Sequence, residues 1–184
     1  VSDFSNLSID NSIELQIAIG FLICGIIFKF GAFPFHSWVP DSYQGSTNSV
    51  ALFISTVPKI GAFALLYRLL IESFYSLSFL WSSLLLVLGL SSIVFGNIVA
   101  LSQNQIRRLF GYSAIGHIGF ILIGISAINQ TAIESSLMYL FIYIIMSLSA
   151  FITLELLSSD SKSIDTINDL KGLNNSHPWV ALML

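Results

Sequence analysis

Charge is what this chain has least of. Only 9% of its 184 residues are Asp, Glu, Lys or Arg, where soluble domains carry about 25%. With 55% hydrophobic residues and a mean hydropathy of +0.85, that deficit excludes an ordinary soluble domain and points to a bilayer. The net charge of −3 is too small to imply a nucleic-acid partner. The single cysteine, Cys24, lies in an apolar run. It excludes an internal disulfide and reads as a small buried residue. The first residues, VSDFSNLSIDNS, are polar and acidic with no basic stretch, so a cleavable signal peptide is not expected there. There is no metal-ligand cluster, no glycine-rich phosphate loop and no nucleophile–base pair. Nothing in the pattern points to a nucleotide, flavin or iron–sulfur centre, and the chain is expected to hold no metal and no cofactor of its own.

What is abundant is apolar sequence in long runs. A spanning helix needs about 20 apolar residues. Runs of that kind lie near 13–34, 47–71, 76–101, 107–128 and 132–157. The expectation is an all-α membrane protein: a bundle of five full transmembrane helices over 13–157, after a polar N-terminal segment at 1–12. Short links at 72–75, 102–106 and 129–131 make successive helices antiparallel neighbours. A polar loop follows at 158–178, closed by Pro178, a helix-start signal. Residues 179–184 then open a sixth helix that six residues cannot carry across a bilayer; a fragment, or completion by a second polypeptide, would each account for it. The links after the first, third and fifth helices carry Arg107, Arg108, Lys162 and Lys171, and the other side only Arg68. The positive-inside rule places the first group in the cytoplasm or matrix, with Asp3, Asp10 and Glu14 outward.

Against this apolar background two lysines stand out. Lys29 lies in IELQIAIGFLICGIIFKFGAF and Lys59 in NSVALFISTVPKIGAFALLYRLL. A Lys at the centre of a spanning helix costs about 2.5–3.5 kcal/mol on insertion scales and is rarely idle. Lys59 is near the middle of its helix, roughly 18 Å from either end at 1.5 Å per residue, so snorkelling to an interface is a poor account of it. Pro58 removes a backbone N–H and crowds the carbonyl of Ile54, which is expected to break the helix beside the lysine. An ammonium kept from water has its charged form disfavoured, so a lysine at this depth suits a proton relay; a static ion pair is the structural alternative. Lys29 is nearer a helix end, with Gly31 and Pro34 after it, and Pro34 is a second expected break. Snorkelling is more credible there.

Two histidines add ionisable groups that titrate near neutral pH when unperturbed. His117 lies within RRLFGYSAIGHIGFILIGI, among Gly111, Gly116, Gly119 and Gly124. It reads either as a relay group or as a hydrogen-bonded packing residue. His36 sits in the Pro- and aromatic-rich link from Phe33 to Gly45 and serves either the relay or the link. Glu14, Glu72, Glu134 and Glu155 fall near helix ends, where solvation is the default. Trp38, Tyr43, Trp81 and Trp179 suit interfacial anchoring.

The run FKFGAFPFHSWVPDSYQGSTNSVALFISTVPKIGAF resembles the antiporter-like membrane-arm subunits of respiratory NADH:ubiquinone oxidoreductase (complex I). NQIRRLFGYSAIGHIGFILIGI resembles a later helix of the same subunits, and DLKGLNNSHPWVALML the approach to the next. The STVPKI element favours subunit 2 over its paralogues. The resemblance covers about residues 13–184. It implies the seventh to eleventh helices of the usual fourteen, in a fold of two inverted five-helix repeats, each with one broken helix. It places Lys29 and Lys59 at the family's seventh- and eighth-helix lysines, and His117 at a histidine often present in the tenth. The family's fifth-helix glutamate and twelfth-helix lysine have no counterpart in this sequence; a split subunit, a truncation or a relic would explain that.

What the resemblance implies is a subunit of the proton-pumping membrane arm, in the mitochondrial inner membrane or a bacterial plasma membrane. The amino-acid usage, rich in Phe, Ile, Leu, Ser and Asn, suits an AT-rich organelle genome. Partners would be other membrane-arm subunits, a second polypeptide completing the subunit 2 fold, and the lipid bilayer. Lys59 would load from the matrix side, Lys29 would couple to the absent glutamate, and His117 would connect towards the absent lysine. Two rivals stand beside this reading: a subunit of a sodium/proton antiporter complex, and a scaffold whose channel is disconnected.

Overall fold

Helices long and apolar enough to cross a bilayer occupy Ile13–Phe30, Asn48–Ser73, Tyr75–Leu101, Ile106–Ser126 and Gln130–Ser158. The computed structural model describes residues 13–159 and 164–184; the N-terminal segment 1–12 and Lys162 lie outside the described residues. We label the helices α1 (Ile13–Phe30), α2 (Trp38–Gly45), α3 (Asn48–Leu66), α4 (Ser78–Leu101), α5 (Ile106–Ser126), α6 (Gln130–Ser159), α7 (Leu173–Ser176) and α8 (Pro178–Met183). The outward faces are apolar, with Phe21, Phe53, Val87, Val94 and Phe141 exposed, as suits a chain whose solvent is lipid. The protein is a multi-pass, all-α membrane protein.

The first helix ends at Phe30, earlier than the apolar run suggested. Gly31 takes φ +74°, a conformation glycine adopts without steric cost. A Cβ there would also strike a methyl group of Val39. Residues 31–37 turn the chain, the Phe33–Pro34 peptide is cis, and α2 begins at Trp38. Two hydrogen bonds hold the interruption: Trp38 Nε1 donates to the Phe28 carbonyl and the Phe33 N–H donates to Ser92 Oγ, each at 3.0 Å. The break expected at Pro34 is therefore present, and the expected link beyond it is largely helix.

The break expected at Pro58 is not. α3 runs through Pro58 from Asn48 to Leu66. The hydroxyls of Ser55 and Thr56 donate to the Leu52 carbonyl one turn earlier, each at 2.8 Å, and the helix is packed by both α1 and α6. Such neighbours let a spanning helix keep its course past a proline. The wide, π-helical turns come later, at Tyr67–Ser73.

Two aromatics expected at the interface are instead in the core. Trp81 is fully buried and donates from Nε1 to the Phe74 carbonyl at 2.9 Å. Tyr43 is buried on α2, edge-on to Phe151 of α6. Both lie on helix faces turned to neighbouring helices, which hydropathy alone does not register. Cys24 is free and half-buried.

α4 and α5 pack backbone to backbone. A Cβ on Gly96 would lie 2.7 Å from the Gly116 nitrogen, and one on Gly119 2.6 Å from the Gly89 oxygen. At one end of the bundle, three links meet. Arg107 donates to the Ser46 carbonyl at 2.7 Å and pairs with Asp165 at 2.6 Å. Arg108 pairs with Asp41 at 2.7 Å. The Ile106 N–H donates to the Asp165 carbonyl and the Ile167 N–H to the Asn104 carbonyl, each at 3.0 Å. The links after α2, α4 and α6 thus share one side, as the antiparallel reading required.

Candidate functional site

Helical phase decides where Lys59 points. Ala51, Ser55, Lys59, Ala62 and Leu66 are all buried on α3. Their spacing of three and four residues is one stripe of an α-helix, and Lys59 stands at its centre. Its side chain is 3% exposed. Nζ donates to the hydroxyl of Tyr143 on α6 at 2.8 Å and lies 4.7 Å from the centre of that ring. The two contacts act together: a hydrogen bond to a charged group contributes about 1.5–3 kcal/mol, and a desolvated cation over a ring adds a contribution of about 2 kcal/mol.

His117 meets the same tyrosine from α5. Its ring centre is 5.3 Å from that of Tyr143, and its Nδ1 is hydrogen-bonded to the hydroxyl of Tyr139 at 2.8 Å. Tyr139 and Tyr143 are one helical turn apart on α6 and present their hydroxyls to the same side. Lys59, Tyr143, His117 and Tyr139 therefore form a continuous polar cluster across α3, α5 and α6. A cavity of about 370 Å³ opens beside it, lined in part by Tyr43, Ser113, His117, Tyr143 and Ser147. The buried hydroxyl of Tyr43 lies close to those of Tyr143 and Ser55. The cluster has what proton movement needs: an amine, an imidazole and hydroxyls able to donate and accept.

The other expected site residues lie elsewhere. Lys29 is in the last turn of α1 and exposed, on a different face from Ile19, Ile23, Ile26, Ile27 and Phe30, which are buried. His36 is buried in the interruption between α1 and α2. Its ring lies 4.5 Å from Phe95 and 5.5 Å from Phe33, centre to centre, with Tyr112 at 6.4 Å. Pro58 sits beside Lys59 without opening the helix. Tyr143 and Tyr139 were not picked out from the sequence, because a tyrosine in an apolar helix carries no mark of its own. Their four-residue spacing was the available signal. No group of His, Cys, Asp and Glu able to hold a metal occurs among the described residues.

The comparisons with known proteins agree with this architecture. Residues 2–184 match the family described as NADH:quinone oxidoreductase/Mrp antiporter, transmembrane region. The chain is 48% identical over 182 residues to NADH-quinone oxidoreductase subunit N of Ruthia magnifica subsp. Calyptogena magnifica, covering 98% of this chain and 38% of that protein. A chain of respiratory complex I from Thermus thermophilus superposes with a TM-score of 0.74 at 33% identity, over 91% of this chain and 36% of that one. A chain of the Mrp complex from Dietzia sp. DQ12-45-1b superposes with a TM-score of 0.84 at 19% identity, over 94% of this chain and 32% of that one, which shows a shared fold. The chain thus spans well under half the length of these proteins. These sequence relatives are bacterial, so of the two expected membranes the mitochondrial one finds no support; amino-acid usage that suits an AT-rich genome follows base composition, whichever compartment houses it. On the match of nearly its whole length, and on a helix bundle of the same form, the chain belongs to the NADH:quinone oxidoreductase/Mrp antiporter family of membrane proteins.

Proposed function

We propose that the chain is part of the membrane arm of a proton-translocating NADH-quinone oxidoreductase, in the position of its antiporter-like subunit 2, and that it moves protons through Lys59 and His117. One observation carries this reading: an amine 3% exposed, inside a spanning helix, whose hydrogen bond at 2.8 Å goes, among the described residues, to a hydroxyl and not to a carboxylate. A structural ion pair would offer Lys59 an acid. Here the neighbours are a phenol and, beyond it, an imidazole, which suit the passage of a proton. The identity of the relatives supports the assignment to the oxidoreductase, while the likeness to the Mrp complex is one of fold alone.

In this reading Lys59 loads from the end of the bundle where Arg107, Arg108 and Lys171 lie, the cytoplasmic side of a bacterial plasma membrane by the positive-inside rule. Lys29, exposed on α1, pairs with an acidic group from the remainder of the family fold, since an unpaired cation on a lipid-facing surface is costly. The partners are the other membrane-arm subunits. Electron transfer belongs to other parts of the assembly. The test is Lys59→Ala in the assembled complex in vesicles. The expected result is a lower ratio of protons moved to electrons passed, with assembly intact; an unchanged ratio counts against the function.

A further inference from the structure

Tyr143 meets both Lys59 and His117. Its hydroxyl takes the hydrogen bond from Lys59 Nζ at 2.8 Å, and its ring lies 5.3 Å from that of His117. It is 4% exposed, so bulk water does not substitute for it. The titratable groups around it come from every helix packed there: Tyr43 from α2, Lys59 from α3, His117 from α5 and Tyr139 from α6 itself. The cavity of about 370 Å³ is lined by both Tyr143 and His117, and at about 30 Å³ of liquid per molecule it has room for several waters.

We propose that the hydroxyl of Tyr143 is the connecting group through which a proton passes between Lys59 and His117. This rests on the relay function above and adds a residue to it. The step balances. The ammonium of Lys59 gives one proton to Tyr143 Oη along the existing hydrogen bond. Tyr143 releases its own phenolic proton through water in the cavity to the imidazole. Lys59 ends as a neutral amine, His117 as an imidazolium, and Tyr143 as the phenol it was. Tyr139 has a positioning part: when its oxygen accepts from Nδ1–H of His117, the lone pair that receives the proton is on Nε2. Return of the proton follows the same route reversed.

The test uses the full-length protein in its assembled complex, reconstituted in vesicles, with NADH-driven proton uptake as the readout. Tyr143→Phe keeps the ring and removes only the hydroxyl. Proton uptake is expected to fall about tenfold with assembly unchanged, and the pH profile of the residual rate to differ from that of the wild type, which a packing role for the ring would not produce. Wild-type uptake and profile in Tyr143→Phe, alongside a defective Lys59→Ala, overturn the proposal and leave the relay function standing. Wild-type uptake in Lys59→Ala overturns the function itself. Should Tyr143→Phe fail to assemble, Tyr143→His keeps a proton-carrying group in place: uptake retained supports the proposal, and an assembled but inactive Tyr143→His overturns it.

Discussion

Between α4 and α5 the backbones themselves touch, while between α3 and α6 it is long side chains that meet. In lipid there is no hydrophobic drive to bring apolar helices together, so close van der Waals packing and interhelical hydrogen bonds must serve. One pair uses the first means and the other uses the second. Gly89, Gly96 and Gly119 let α4 and α5 approach until a methyl group would not fit, and one at Gly116 would press on the Asn97 side chain. α3 and α6 are joined in the core by Lys59 and Tyr143. Such a polar contact is able to change its protonation without the helices moving apart; a glycine seam has nothing to change. α5 belongs to both pairs. Gly116 and Gly119 face α4, and His117 between them faces α6. The rigid seam thus holds an ionisable ring in register with the polar cluster.

This division makes residues two positions apart on α5 differ in what their loss does. Gly119→Leu drives a side chain into the Gly89 carbonyl and Ile93. It is expected to destabilise the bundle by roughly 3 kcal/mol or more, seen as loss of assembled protein on native gels. Assembly at the wild-type level would show that the seam is dispensable. His117→Ala should do the reverse: proton uptake falls about tenfold, while stability changes by about 1 kcal/mol, the net worth of one hydrogen bond. Loss of assembly in that variant would erase the distinction between the two faces. Gly61→Ala is the smallest expected effect. Nothing lies within 4 Å of a Cβ at Gly61, and helix propensity favours alanine by roughly 0.8–1 kcal/mol. A thermal-melt midpoint equal to or slightly above that of the wild type is expected; a marked fall would mean that α3 has a close neighbour on that face.

Much of the fold was legible from run length. The five spans and the interruption after α1 follow from apolar stretches and from Gly31 and Pro34. Lys59 and His117 were legible as ionisable groups in apolar surroundings. The rest depended on helix rotation. Lys29 and Lys59 differed in sequence only in their distance from a helix end, yet one is exposed and the other is 3% exposed. Trp81 and Tyr43 resemble interfacial anchors and are buried. Pro58 carries a helix breaker's chemistry, but α3 continues through it, packed by α1 and α6.

The sequence by itself determined how many times the described chain is able to cross a bilayer and at what depth each charge is placed, because both follow from a rise of about 1.5 Å per residue measured against a hydrocarbon core about 30 Å thick. Only the tertiary structure decided which of those charges meet. That depends on the rotation of each helix about its axis, set by the glycine seam between α4 and α5 and by the buried stripe of α3, and it turned Lys59 toward Tyr143 while leaving Lys29 on an open face.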